Sequence, residues 1–134
     1  MTPNSYYPYQ PLESESHIRL LKVTKRVDSP SRRGGLRRWS FSLVHVSLNN
    51  APPFETVSYA WVNTARPFSL PVEDAKDIAI TKSVFDALPY LIQRSETGFL
   101  WLDQICINQD NKDERGHQVS LMGRVFTTSR RTIV

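Results

Sequence analysis

From His17 to Thr24 the apolar residues Ile18, Leu20, Leu21 and Val23 are interleaved with Arg19 and Lys22, a near-alternation that predicts a half-buried strand. From Trp39 to Leu48 the alternation is cleaner, with Trp39, Phe41 and Leu43 on one face and Val44, Val46 and Leu48 on the other. Together the two predict an N-terminal β-hairpin. Its connection, residues 27–38, holds Pro30 and the Gly34-Gly35 pair, chemistry that tolerates a long exposed loop. Ahead of the hairpin, residues 1–16 carry Pro3, Pro8 and Pro11 among tyrosines and polar residues with no period of either kind. This is an extended arm that orders by lying on the domain, which runs over 17–134.

After the turn signal Asn49, Asn50, Pro52 and Pro53, the stretch Thr56 to Trp61 is short, β-branched and aromatic and reads as a central buried strand. Val62 to Ala79 is polar, with Pro67 and Pro71, and reads as a connection. Ser83 to Gln93 places Val84, Leu88, Leu91 and Ile92 at helical spacing, with Ser83 as N-cap, Asp86 as its acidic partner and Pro89 as a kink. Gly98 ends the helical region. Phe99 to Leu102 is a continuous apolar run closing on Asp103, the pattern of a parallel strand covered on both faces. Asp110 or Asn111 then caps a second helix, with Glu114 three residues after Asn111, a buried stripe of Val119, Met122 and Phe126, and Gly116 and Gly123 weakening it. Thr132 to Val134 reads as a strand cut short. Two strand-to-helix units predict an α/β fold: a mainly parallel sheet with flanking helices, preceded by the hairpin. Its functional loops follow Trp61 and Asp103, at the carboxyl ends of the strands.

Composition narrows the class. The chain has 134 residues, 40% hydrophobic and 22% charged, enough for one packed domain. Much of its net charge of +4 sits in Arg32, Arg33, Arg37 and Arg38, a solvated loop with no stacking aromatic until Trp39, which disfavours nucleic acid as a partner. Cys106 is the single cysteine and makes no internal bridge, which fits a reducing compartment. The N-terminus lacks the apolar core of a signal peptide, and no run approaches the ~20 apolar residues of a membrane helix. The expectation is an intracellular, cytoplasmic protein off the membrane, without a metal.

Several residues carry candidate chemistry. Asp103, at a strand's carboxyl edge, either orients a ligand or caps its own loop. Cys106 with His117 has the residue types of a thiol nucleophile and its base, against the plainer role of a small buried cysteine. Asn108 and Gln109 build the loop through its backbone or present amides to a ligand or neighbouring protomer. Glu114 is either a general base or a helix-capping carboxylate, and Arg115 and Gln118 share its helix. Tyr59 and Trp61 are core and rim aromatics or the lining of a pocket.

Three segments resemble the heterokaryon incompatibility (HET) domain of filamentous fungi: Phe54 to Trp61 (FETVSYAW), Phe99 to Gln109 (FLWLDQICINQ) and Asp113 to Met122 (DERGHQVSLM). The middle one is the most specific. The arm from Tyr9 to Leu12 and the following Ile18 to Leu21 also look like the family's lead-in, so the resemblance covers nearly the whole chain. It implies a role in non-self recognition and programmed cell death, through protein partners or self-assembly. The family is in turn distantly similar to Toll/interleukin-1 receptor (TIR) domains, flavodoxin-like modules that assemble and in some cases cleave NAD. That comparison makes Gln104 to Asn111 an assembly loop and brings in NAD as a substrate; the alternative reading is a nucleotide hydrolase with its crevice near Tyr59, Trp61 and Asp103 and with Glu114 as its carboxylate. Two departures weigh against the enzyme. Val62 stands where the family has Gly, and the chain ends where a third strand begins, short of the helix that supplies the catalytic Glu in the NAD-cleaving relatives. A third reading is an incomplete fragment that folds poorly alone.

Overall fold

The computed structural model describes residues 7–25, 39–58, 65–72 and 76–133. Strands β1 (His17–Lys25) and β2 (Trp39–Ser47) pair antiparallel along their full length, from His17 opposite Ser47 to Lys25 opposite Trp39. The arginine-rich connection between them lies outside the described residues. A 3-10 turn (Leu48–Asn50) then leads to β3 (Glu55–Val57), and β6 (Phe99–Trp101) and β7 (Arg131–Ile133) flank β3, both parallel to it. The five strands run in the order β2-β1-β6-β3-β7.

The class is α/β, and the two strand-to-strand crossovers, β3 to β6 and β6 to β7, are parallel. The sheet as a whole is mixed rather than mainly parallel. The hairpin does not stand ahead of the sheet but joins it, because β1 pairs antiparallel with β6 through Leu21 and Leu100. Those two side chains are wholly buried, so one continuous apolar layer covers the junction.

Residues 68–80 correct the expected plain connection. Strands β4 (Phe68–Val72) and β5 (Lys76–Ile80) form a separate antiparallel pair that buries Leu70, Val72, Ile78 and Ile80. Pro71 sits opposite Asp77 in this ladder. Proline lacks an N–H, and such a position is tolerated on a strand edge, so its turn-like signal hid a real strand.

Helix α1 (Lys82–Arg94) follows directly and buries Val84, Leu88, Leu91 and Ile92, the predicted stripe. Its cap is Thr81 rather than Ser83: the Thr81 hydroxyl accepts from Val84 N at 3.2 Å. The helix runs on through Pro89, which costs it the bond Phe85 would otherwise receive. The Phe85 ring stacks on Phe68 of β4, ring centroids 4.4 Å apart. Gly98, at φ 77°, turns the chain into β6.

A single helical turn, α2 (Asp103–Cys106), occupies the start of the predicted assembly loop, and α3 (Lys112–Thr128) follows it. Asn111 caps α3 as predicted, its side chain accepting from Glu114 N at 3.0 Å. The buried face is displaced by one position, however. Gln118 and Val125 are buried while Val119 is 54% exposed, since Gln118 donates to His17 O of β1 and so fixes which face turns inward.

Candidate functional site

The segment 103–111 leaves the carboxyl end of β6 and is tied down at almost every residue. Within it, Gln109 Nε2 donates to Asp103 O at 2.8 Å, Asp110 N donates to Asn108 Oδ1, and Asn111 N donates to Asn108 O. From outside, Tyr9 of the arm donates its hydroxyl to Ile105 O at 2.6 Å, and Arg19 of β1 donates to Cys106 O at 3.1 Å. Gln104 Oε1 reaches across to accept from Thr81 N at the head of α1. Polar side chains thus satisfy a backbone that no strand partner covers.

Beneath this segment lies a buried ion pair. Arg19 has no exposed surface, and its two terminal nitrogens donate to Glu114 Oε2 at 2.6 Å and Oε1 at 2.8 Å. The same guanidinium donates to Gln10 O of the arm and lies over the Tyr9 ring. Glu114 also accepts from Asn108 N at 2.7 Å. Burial alone would raise the Glu114 pKa, but the hydrogen bonds from Arg19 and Asn108, with the Arg19 charge, outweigh it and hold the carboxyl below its usual range. Both carboxylate oxygens are therefore engaged in joining β1, the 103–111 segment and α3.

A second buried carboxylate, Glu55 of β3, was not anticipated. It accepts from Ser95 Oγ, Glu96 N and Thr97 Oγ1 at 2.8, 2.6 and 2.6 Å and so fixes the turn between α1 and β6. Here too burial pushes the pKa up and is outweighed, by the bonds from Thr97, Glu96 and Ser95, so the group is held low. The one signal in the sequence was a lone charge inside the apolar run from Phe54 to Val57.

The remaining candidates separate. Cys106 is fully buried, its thiol aimed at Leu100 O, and burial pushes its pKa up to about 12. His117 instead bonds Glu15 O at 2.7 Å, so the two do not form a nucleophile and base. Arg115 Nη1 donates to Gln109 O, and Gln118 Nε2 donates to His17 O. Asp103 lies half-buried at the head of α2. Tyr59, Trp61 and Val62 lie outside the described residues.

Two hollows border these elements. A cleft of about 420 Å³ is walled by Tyr7 and Tyr9 of the arm, Arg66, Asp77 and Ala79 of β5, and Asn108 to Asp110. This volume falls in the range of small-ligand and peptide pockets. A smaller apolar hollow of about 100 Å³ lies between α1 and the carboxyl ends of β3 and β6, against Val57, Ser58, Tyr90 and Leu102. Among the described residues no group of three or more His, Cys, Asp or Glu is placed to hold a metal, and no helix is long and apolar enough to cross a membrane.

The fold and the tied loop define an α/β module built around a stapled segment after its second parallel strand. A family model described as "Heterokaryon incompatibility protein (HET)" matches residues 54–134, and the chain belongs to that family. It is 28% identical over 99 residues to heterokaryon incompatibility protein 6, OR allele, of Neurospora crassa, a match that covers 65% of this chain and 15% of that protein. The chain thus corresponds to a small part of the relative's length. No solved structure matches it.

Proposed function

We propose that this chain is a signalling module of the fungal incompatibility response that acts inside the cell through protein contact and leads to programmed cell death. Family membership and the Neurospora relative support the incompatibility role. The observation that carries the contact mechanism is the segment 103–111, whose amide and carboxylate partners are spent on holding its own backbone in one shape. A preorganised polar loop loses little entropy on meeting a partner.

The engagement of Glu114 supports a structural role over that of a general base. A base must reach the proton it abstracts, and both oxygens of Glu114 already accept from Arg19 and Asn108. This favours contact over turnover of a nucleotide such as NAD.

Inducible expression of the chain in Neurospora crassa, scored by vital-dye uptake in strains of differing incompatibility type, tests the reading. Death in some strains and not others is the expected result. Strain-independent survival, or release of nicotinamide from NAD by the purified chain that Glu114→Gln abolishes, would overturn it.

A further inference from the structure

Among the described residues, the outer edge of β5 has one position whose outward backbone groups meet no backbone partner. In an antiparallel ladder, opposed residues alternate between pairs that exchange both bonds and pairs that exchange none. Pro71 has no N–H, and Asp77 opposite it turns its carbonyl outward, where Tyr7 N of the arm donates to it at 2.9 Å. Asp77 is therefore a non-bonded position, and so is Ala79, two residues on and opposite Ser69. Thr81 keeps the same phase, its N–H donating outward to Gln104 Oε1 at 3.0 Å. Of the three outward positions, Asp77 and Thr81 have partners. Ala79 between them has the same outward phase and lines the 420 Å³ cleft, and no other described residue pairs with its outward N–H and C=O.

We infer that this cleft is a docking site for a short extended segment of a partner protein, which adds to β5 at Ala79 and carries one acidic and one basic side chain. The arm is the precedent, since the same edge already accepts a peptide backbone at Asp77. Charge supplies the rest. Arg66 lines the cleft as an exposed guanidinium, Asp77 and Asp110 line it as carboxylates, and none of the three enters an ion pair with another described residue. Arg66 suits an acidic side chain with two-point geometry, and the two carboxylates suit a lysine or arginine. The tyrosine rings, 5.1 Å apart and edge to face, form an apolar wall beside them. The proposal deepens the protein-contact reading given above by naming the edge and the kind of segment it takes.

The test is selection of random seven-residue peptides on the purified chain, followed by titration of synthetic copies of those enriched. The expected result is a set of peptides pairing an acidic with a basic residue. Their affinity should fall about tenfold or more in Arg66→Gln, and to a similar degree in Ala79→Pro. Ala79→Pro removes the outward N–H and leaves the β4 ladder its own bonds. Should that variant melt early, N-methylation of single peptide residues replaces it, and one methylation site should abolish binding while its neighbours do not. An absence of enriched peptides, or peptides indifferent to both Arg66→Gln and N-methylation, would overturn the proposal. Peptide capture is read on purified protein and death in cells, so failure of one is distinguishable from failure of the other.

Discussion

The guanidinium of Arg19 and the carboxylate of Glu114, 95 residues apart in sequence, meet in a two-point ion pair of 2.6 and 2.8 Å in which Arg19 is wholly removed from solvent. A pair of this kind stabilises little relative to a well-packed apolar replacement, because two charges had to be taken out of water. Breaking it is different, since the survivor is left buried and unpaired. Glu114→Ala is expected to cost about 3–5 kcal/mol, and the double variant Arg19→Met with Glu114→Leu markedly less. Urea denaturation of the three proteins checks this, and a Glu114→Ala variant as stable as the wild type would remove the pair from the folding argument.

Acid should unfold the chain through two carboxylates. Glu55 and Glu114 both have pKa values held below the ordinary 4.5, so the unfolded chain takes up protons first as pH falls. Their contribution is complete above that ordinary value and is lost as pH drops through the lower folded-state values. The share of the urea midpoint owed to these two carboxylates should be flat above about pH 5 and fall steeply below it, while His45, whose pKa burial and the Arg19 charge hold below 6.5, adds a shallower loss that begins as pH drops through that value. Glu55→Gln should flatten the slope, at the cost of aiming an amide nitrogen at either the Glu96 N–H or the Ser95 and Thr97 hydroxyls.

Cys106 should be inert in the native protein. Its thiol is fully buried and its pKa stands at about 12, so almost no thiolate exists at neutral pH. Thiol reagents should label it only when denaturant is added, at a rate that follows global unfolding. Rapid labelling of the folded chain would revive its candidacy as a nucleophile.

Where the apolar pattern was strong, the fold was legible. The antiparallel pairing of β1 with β2 as a hairpin, the stripe of α1 and the parallel run of β6 all follow from period. What escaped has physical causes. Arg19 lies between Ile18 and Leu20 in the alternation and reads as solvent-facing, because nothing local announces a carboxylate in α3. Hidden in the same way, β4 is preceded by Pro67 and contains Pro71, which read as breakers, yet Pro71 falls where the ladder needs no N–H. In α3 a buried glutamine reversed the apparent polarity of two adjacent positions, Gln118 and Val119. At the candidate site, the sequence pointed to Asn108, Gln109 and Glu114, and in the structure Asn108 N donates to Glu114, Gln109 Nε2 donates to Asp103 O and Glu114 N donates to Asn111 Oδ1. The cleft they border was not legible, since its other walls come from the arm and β5, joined only by tertiary packing.

Two glycines should respond to alanine with opposite signs. Gly98 holds φ 77° at the turn between α1 and β6, where its N–H bonds Ser95 Oγ and its carbonyl receives Val23 N at 2.8 Å. An added Cβ would meet Val23 O at 3.5 Å, an ordinary contact, so the penalty is one of backbone conformation rather than space. Gly98→Ala is expected to cost about 1–2 kcal/mol. Gly116 lies inside α3, exposed and with nothing within 4 Å of an added Cβ. There alanine restricts the unfolded chain and suits the helix, so Gly116→Ala should stabilise by about 0.5–1 kcal/mol. Paired thermal melts decide it: a neutral Gly98→Ala would mean that the turn adopts another conformation, and a destabilising Gly116→Ala would mean that α3 does not pass through that residue as a regular helix.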